Sequence, residues 1–228
     1  MPIALIVGAG SGLSASLARA FHAKGLIPVL AARDVSKLTD LARETGAITV
    51  TADASTADGV AAIFDAIDAA DGELAVAIYN PSYRVRGPIA EVDPAEVQKA
   101  LQITAYGAFL VGQQAARRML ASGGGTILFT GASAGMKGYP LSAAFAMGKF
   151  ALRGLAQSMA RELHPKGVHV AHVVIDGMIR NPGRTEPADK PDSMLDPDAI
   201  AETYVQLAQQ DRSIWTWEVE VRPWVENF

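Results

Sequence analysis

Residues Ile3-Ala-Leu-Ile-Val7 run directly into Gly8-Ala-Gly10-Ser11-Gly12-Leu13-Ser14, and a helical pattern follows through Leu17, Ala20 and Phe21. An unbroken aliphatic run of this length reads as a strand buried on both faces. Glycines after it permit a tight turn and a close approach of backbone to ligand. The free N–H groups and positive end of the following helix then face any bound anion. Strand, glycine turn and helix in this order are the context of a pyrophosphate-binding turn, although tight strand-to-helix turns also occur for structural reasons alone.

The same rhythm continues along the chain. Short apolar runs recur at Ile27 to Ala31, Ile48 to Thr51, Leu74 to Tyr79, Thr126 to Phe129 and Val168 to Ile175, with helix-like stretches between them. Runs apolar on both faces, alternating with helices, predict a single doubly wound parallel α/β sheet, a Rossmann fold with helices on both faces. Asp34 with Ser36, Ser55 with Thr56, Asp93 before Pro94, and Asp196 before Pro197 mark helix starts. Two long helices are predicted, Pro94 to Leu120 and Ser142 to Leu163, whose alanine-rich outer faces suit either the sheet or a second subunit. Period-two alternation from Ile214 to Val221 predicts a last strand with one face wet. Trp224 and Phe228 extend it as an aromatic tail over 214–228 that covers the sheet edge or meets a partner.

The 228 residues carry 50% apolar and 19% charged side chains and show no linker or compositional break, which predicts one domain over residues 1–228. A formal charge of -4 offers no footprint for nucleic acid or an anionic membrane surface. The chain has no cysteine, so thiolate chemistry, disulfides and cysteine-ligated zinc are outside its means. The four histidines lack metal-ligand spacing, so no metal is expected. With no stretch of membrane-spanning length and no signal-peptide pattern before Ile3, a cytoplasmic location is expected.

Three further segments give the pattern a family. They are Thr126-Ile-Leu-Phe-Thr-Gly-Ala-Ser-Ala-Gly135, Phe145-Ala-Met-Gly-Lys149 and Val173-Val-Ile-Asp-Gly177. Together with the first turn they resemble the short-chain dehydrogenase/reductase family, whose turn reads Thr-Gly-x-x-x-Gly-x-Gly. Gly8 and Gly12 fall on its first two glycines, while Val7 and Ser14 replace its threonine and last glycine, and Ser14 is expected to crowd the helix against the sheet. The resemblance implies a nicotinamide dinucleotide held by Gly8, Gly10, Ser11, Gly12 and Leu13, with Asp53 and Ala54 beside the adenine. Asn80 and Pro81 would floor the nicotinamide pocket, and Lys149, Gly177 and Asn181 would complete it. Ala32 stands where members selective for NAD place an acid, and Arg33 follows. A guanidinium suits a 2'-phosphate, so NADP(H) is expected in preference to NAD(H), unless Arg33 is an ordinary solvated residue before the Asp34 cap.

The resemblance breaks down at the catalytic residues. Lys149 is kept, but Phe145 holds the place of the family's tyrosine, Ala132 that of its serine and Thr104 that of its asparagine. A phenyl ring cannot donate a proton, and a positioned acid contributes about 10²–10⁴-fold to rate. Two readings follow. One is an NADP(H)-dependent oxidoreductase acting on a small carbonyl, enone or alcohol, with its proton from Ser133, from Tyr79, Tyr83, Tyr106 or Tyr139, or from a water held by Lys149. The other is a dinucleotide-binding protein without turnover, serving as scaffold or sensor. Residues at about 181–196 take the place of the family's substrate lid, and the resemblance implies a homodimer or homotetramer.

Overall fold

Strands apolar on both faces need cover on both faces, and the computed structural model, which describes residues 1–226, provides it with helices on either side of one sheet. The strands are β1 (Ile3–Val7), β2 (Ile27–Ala32), β3 (Ile48–Thr51), β4 (Leu74–Tyr79), β5 (Gly125–Thr130), β6 (Val168–Ile175), β7 (Met178–Ile179), β8 (Met194–Leu195) and β9 (Glu218–Val221). Seven of them form the parallel sheet in the order β3-β2-β1-β4-β5-β6-β9, while β7 and β8 pair apart from it. The strand order reverses between β1 and β4, which opens a crevice at their carboxyl ends.

The helices are α1 (Leu13–Ala23), α2 (Thr39–Thr45), α3 (Ala57–Ala69), α4 (Pro94–Leu101), α5 (Gly107–Ser122), α6 (Ala143–Leu163) and α7 (Pro197–Ala208). Leu17 and Phe21 of α1, Leu41 of α2 and Tyr204 of α7 pack on one face of the sheet. Phe64 of α3, Val111 of α5 and Leu152 of α6 pack on the other. Thr56, Asp93 and Asp196 cap α3, α4 and α7 by accepting the backbone N–H groups of Gly59, Ala95 and Asp198. Asp34 instead accepts from the N–H and hydroxyl of Ser36, opening a 3-10 turn (Ser36–Leu38) one step before α2.

The helix expected over residues 94–120 is two helices joined by a π-helical segment, Gln102–Tyr106. Its cause lies outside the helix. The Tyr79 hydroxyl, at the end of β4, donates 2.5 Å to the carbonyl of Ile103, and Gly107 leaves room for it, since a Cβ there would stand 2.3 Å from that hydroxyl.

The final strand is shorter than the period-two pattern predicts. Arg212–Ile214 form a 3-10 turn, and only Glu218–Val221 pair with β6. Trp215 is held instead by the His169 ring, stacked 4.9 Å away at 4°. The face expected to be wet is covered at Glu218, whose carboxylate takes a bidentate contact from Arg153 of α6 at 2.7 and 2.8 Å. Trp224 does not cover the sheet edge: it is 82% exposed and tied to Asp192 through its indole N–H at 3.2 Å. Phe228 lies outside the described residues.

Candidate active site

The turn after β1 holds its shape by one positive backbone angle and one buried hydrogen-bond chain. Gly8 has φ +80°, and a Cβ there would lie 2.8 Å from the ring of Pro81, so both conformation and space demand glycine. Ser14 does not crowd the helix against the sheet as expected. Its hydroxyl donates to the Gly8 carbonyl at 3.0 Å and accepts from the Asn80 amide at 2.8 Å, joining the turn to the end of β4. Gly12 caps α1 without a side chain, Leu13 turns its side chain into the core, and a Cβ at Gly10 would meet nothing within 4 Å, so the backbone there is open to a ligand. Ser11 is exposed beside it. Asn181 lies over Gly12, with its side-chain oxygen accepting from Gly183 N–H at 2.9 Å, so that oxygen is turned into its own loop.

Two cavities run along the carboxyl ends of the strands and share Asn80 and Ser82. The first, of about 740 Å³, extends from Gly8 past Arg33, Asp53, Ala54 and Pro81. Asp53 accepts from Ser55 N–H and hydroxyl at 2.9 and 2.7 Å. Those hydrogen bonds hold its carboxyl below the ordinary value, with a smaller contribution from Arg33. It therefore shapes its turn and lines the cavity at once. Lys37, which sequence reading did not single out, also lines this cavity beside Arg33, while pairing loosely with Asp34 at 3.8 Å.

The second cavity, of about 750 Å³, gathers Ala132, Ser133, Phe145, Lys149 and Gly177. Lys149 is 3% exposed and donates 2.7 Å to the Thr130 carbonyl, and among the described residues no carboxylate pairs with it. Burial alone brings its pKa down to about 7. The Phe145 ring centre lies 5.9 Å from the Lys149 ammonium and 4.8 Å from the Arg84 guanidinium, so cations flank the place of the family's phenol. Gly177 has φ +150°, and Pro223 leaves no room for a Cβ there. Thr104 is not in this cavity. It is buried in the π-helical segment, packed against Gly148, and accepts the Tyr83 N–H at 3.2 Å.

The alternative phenols separate clearly. Tyr79 is spent on Ile103, and burial raises its pKa further. Tyr83 donates to Glu96 at 2.6 Å, and Tyr106 stacks on Phe109 on the outer surface. Only Tyr139 and Ser133 of the proposed alternative donors line the second cavity.

Beneath Lys149, His172 is fully buried with Nδ1 3.0 Å from Glu218, and a Cβ at Gly131 would stand 2.3 Å from its Nε2. Burial lowers the His172 pKa against the pull of Glu218, which disfavours the charged ring. Neither this contact nor the Arg153–Glu218 pair leaves a local signal in the sequence, since each joins residues far apart in the chain.

A parallel sheet with a reversed strand order, a glycine turn and two joined cavities defines a dinucleotide-binding α/β protein. The model of the short chain dehydrogenase family matches residues 2–192, and the chain belongs to that family of NAD(P)-dependent oxidoreductases. It is 28% identical over 225 residues to cis-4-hydroxycyclohexanecarboxylate dehydrogenase of Sinomonas cyclohexanicum, covering 92% of this chain and 90% of that protein. A short-chain dehydrogenase structure from Rhodopseudomonas palustris shares 38% identity with a TM-score of 0.83 over 98% of both chains. A metagenomic short-chain oxidoreductase in complex with NADP shares 30% identity with a TM-score of 0.85 over 97% of both. Among the described residues no helix is long and apolar enough to cross a membrane.

Proposed function

We propose that the protein is an NADP(H)-dependent oxidoreductase of a small carbonyl, enone or alcohol in which Lys149 and Ser133 replace the family's tyrosine and serine. The observation that carries this reading is Lys149: a buried ammonium without a carboxylate partner among the described residues, lining the second cavity beside Phe145. A charged group is costly to bury and is kept where it serves a site.

The residues present fit a nicotinamide dinucleotide. The backbone open at Gly10, beside the start of α1 at Leu13, suits the pyrophosphate. Arg33 and Lys37 place two cations at the far end of the first cavity, where a 2'-phosphate is held better than a bare hydroxyl. Asp53 and Ala54 flank the adenine side, and Asn80, Pro81, Gly177 and Asn181 shape the nicotinamide side. When bound, the nicotinamide gives or takes the hydride. Lys149 holds the ribose hydroxyls and passes a proton through a bound water to the substrate oxygen, as an acid with a pKa of about 7 can do at neutral pH. The Ser133 hydroxyl, which makes no hydrogen bond to the described protein residues, donates to that same oxygen.

The segment at about 181–196 lines the second cavity through Pro187, Lys190 and Ser193, which supports reading it as the substrate lid. Tyr106 and Phe109 around the start of α5, with Met147 and Phe150 of α6, are large apolar side chains left exposed, as a homodimer or homotetramer built on those helices requires. A cytoplasmic setting suits a cysteine-free enzyme of this cofactor class.

The test is a calorimetric titration with NADPH and, separately, NADH, followed by steady-state reduction of activated ketones and enones. Tight NADPH binding, with turnover that falls as pH rises through about 7 and disappears in Lys149→Ala, supports the proposal. NADPH binding without turnover on any acceptor returns the protein to the scaffold or sensor reading. Binding of neither cofactor overturns both.

A further inference from the structure

Residues 81–86, between β4 and α4, belong to no helix or strand. Every second residue of this stretch, Asn80, Ser82, Arg84 and Arg86, lines the second cavity. Tyr83 turns away, toward Glu96 at 2.6 Å. The Arg84 guanidinium carbon lies 4.8 Å from the centre of the Phe145 ring, and among the described residues its N–H groups meet no protein acceptor. Among the described residues neither Arg84 nor Arg86 has an ion-pair partner. Lys190 lines the same cavity. Of the described carboxylates that line it, Asp176 is paired with Arg222 at 3.6 Å, and Glu226 is exposed.

A chain of net charge -4 thus concentrates unpaired guanidinium groups on one wall of one cavity. A planar carboxylate matches the guanidinium fork, and the ring they share keeps Arg84 and Lys149 within the reach of one small molecule. We propose that this wall binds the carboxylate of an anionic substrate through Arg84 and Arg86, leaving its carbonyl or hydroxyl carbon toward Lys149. The assignment names the substrate class of the oxidoreductase reading above and rests on it for the reaction, though not for the binding. The replacement of the family's phenol by Phe145 acquires a second meaning: the ring that cannot donate a proton seats the arginine.

The experiment reads binding apart from turnover. The full-length protein is titrated calorimetrically, alone and with NADP+, with benzoate and with its neutral counterpart benzamide. Because hydrogen bonds to charged groups in a partly open cavity sit at the low end of their range, benzoate is expected to bind about ten-fold more tightly. Added salt erodes the difference. Arg84→Met, which keeps an apolar stem over Phe145, brings benzoate to the level of benzamide, and Arg86→Met weakens benzoate alone. Equal affinities in the unaltered protein, no benzoate binding, or equal losses for both probes in both variants overturn the proposal. Inorganic phosphate displacing benzoate more strongly than benzoate's own analogues overturns the carboxylate assignment. Discrimination between the probes without reduction of any ketone leaves the anion site standing and removes the oxidoreductase reading. Turnover without discrimination does the reverse.

Discussion

Lys149 donates its ammonium to the Thr130 carbonyl at 2.7 Å while only 3% of the residue reaches solvent. Burial brings its pKa down from 10.5 to about 7, so between those values the unfolded chain binds a proton that the folded chain has lost. Stability then rises with pH across that window. Lys149→Met removes the buried amine and is expected to stabilise the fold at pH 7 by roughly 1–3 kcal/mol, a gain that shrinks toward pH 10, at the expense of activity. Chemical denaturation of both proteins at several pH values measures it.

Phe145 and Ala132 line the same cavity as Lys149. Phe145→Tyr with Ala132→Ser returns a phenol and a hydroxyl to the places of the family's donor pair. Ketone reduction is expected to rise by about 10²-fold or more in kcat, measured against the parent with the same ketone. An unchanged rate with cofactor still bound would place the divergence in the cavity wall around Arg84 instead.

Arg33 and Lys37 line the first cavity together. Removing both cations, as Arg33→Ala with Lys37→Ala, is expected to weaken NADPH by about ten-fold or more while leaving NADH nearly unchanged, because only the former carries the 2'-phosphate. Equal effects on the two cofactors, by calorimetry, would assign these residues to the solvated surface.

Ser14 stands between the Gly8 carbonyl and the Asn80 amide. Ser14→Ala leaves both without their partner in a partly buried setting and is expected to cost about 1–2 kcal/mol in thermal unfolding. Dinucleotide affinity falls with it if the chain holds the turn in its binding shape.

Glu218 joins Arg153 and the buried His172. Burial pushes its carboxyl up, but the hydrogen bonds from Arg153 and His172 together outweigh that and keep it below its ordinary value. Its stabilisation is therefore present above about pH 4.5 and is lost as pH falls through the lower folded-state value. His169 and His172, both lowered by burial, add to the acid side: the unfolded chain takes up protons below about pH 6.5 that these rings do not. Glu218→Ala is expected to destabilise the fold by roughly 2 kcal/mol at neutral pH, less than for a fully buried pair because Arg153 is partly exposed. Urea titration checks it.

Much of the fold was legible because its determinants are local. The run Ile3–Val7 must be buried on both faces whatever surrounds it, and the alternation of such runs with helices admits few sheets other than a doubly wound parallel one. Caps at Thr56, Asp93 and Asp196 likewise act within three residues. The candidate site was legible where residues align with the family pattern: Gly8, Gly12 and Lys149 match it, and Phe145 stands in the place of its tyrosine. The last strand was read too long, because the alternation from Ile214 onward also suits Trp215 stacked on His169, a contact set by a ring across the sheet edge.

By itself the sequence determined the sheet, its glycine turn and the loss of the family's phenol, since each depends on residue type and short spacing. Only the tertiary structure decided that Ser14 is a link rather than an obstruction, that Tyr79 is spent on a π-helical turn, and that Arg84 covers Phe145. Such contacts join residues 24 to 66 positions apart, and no local preference of the chain encodes which distant group will meet a buried hydroxyl or a ring. The closing of the sheet brings them together, and the cost of leaving polar groups unpaired inside it selects the partners.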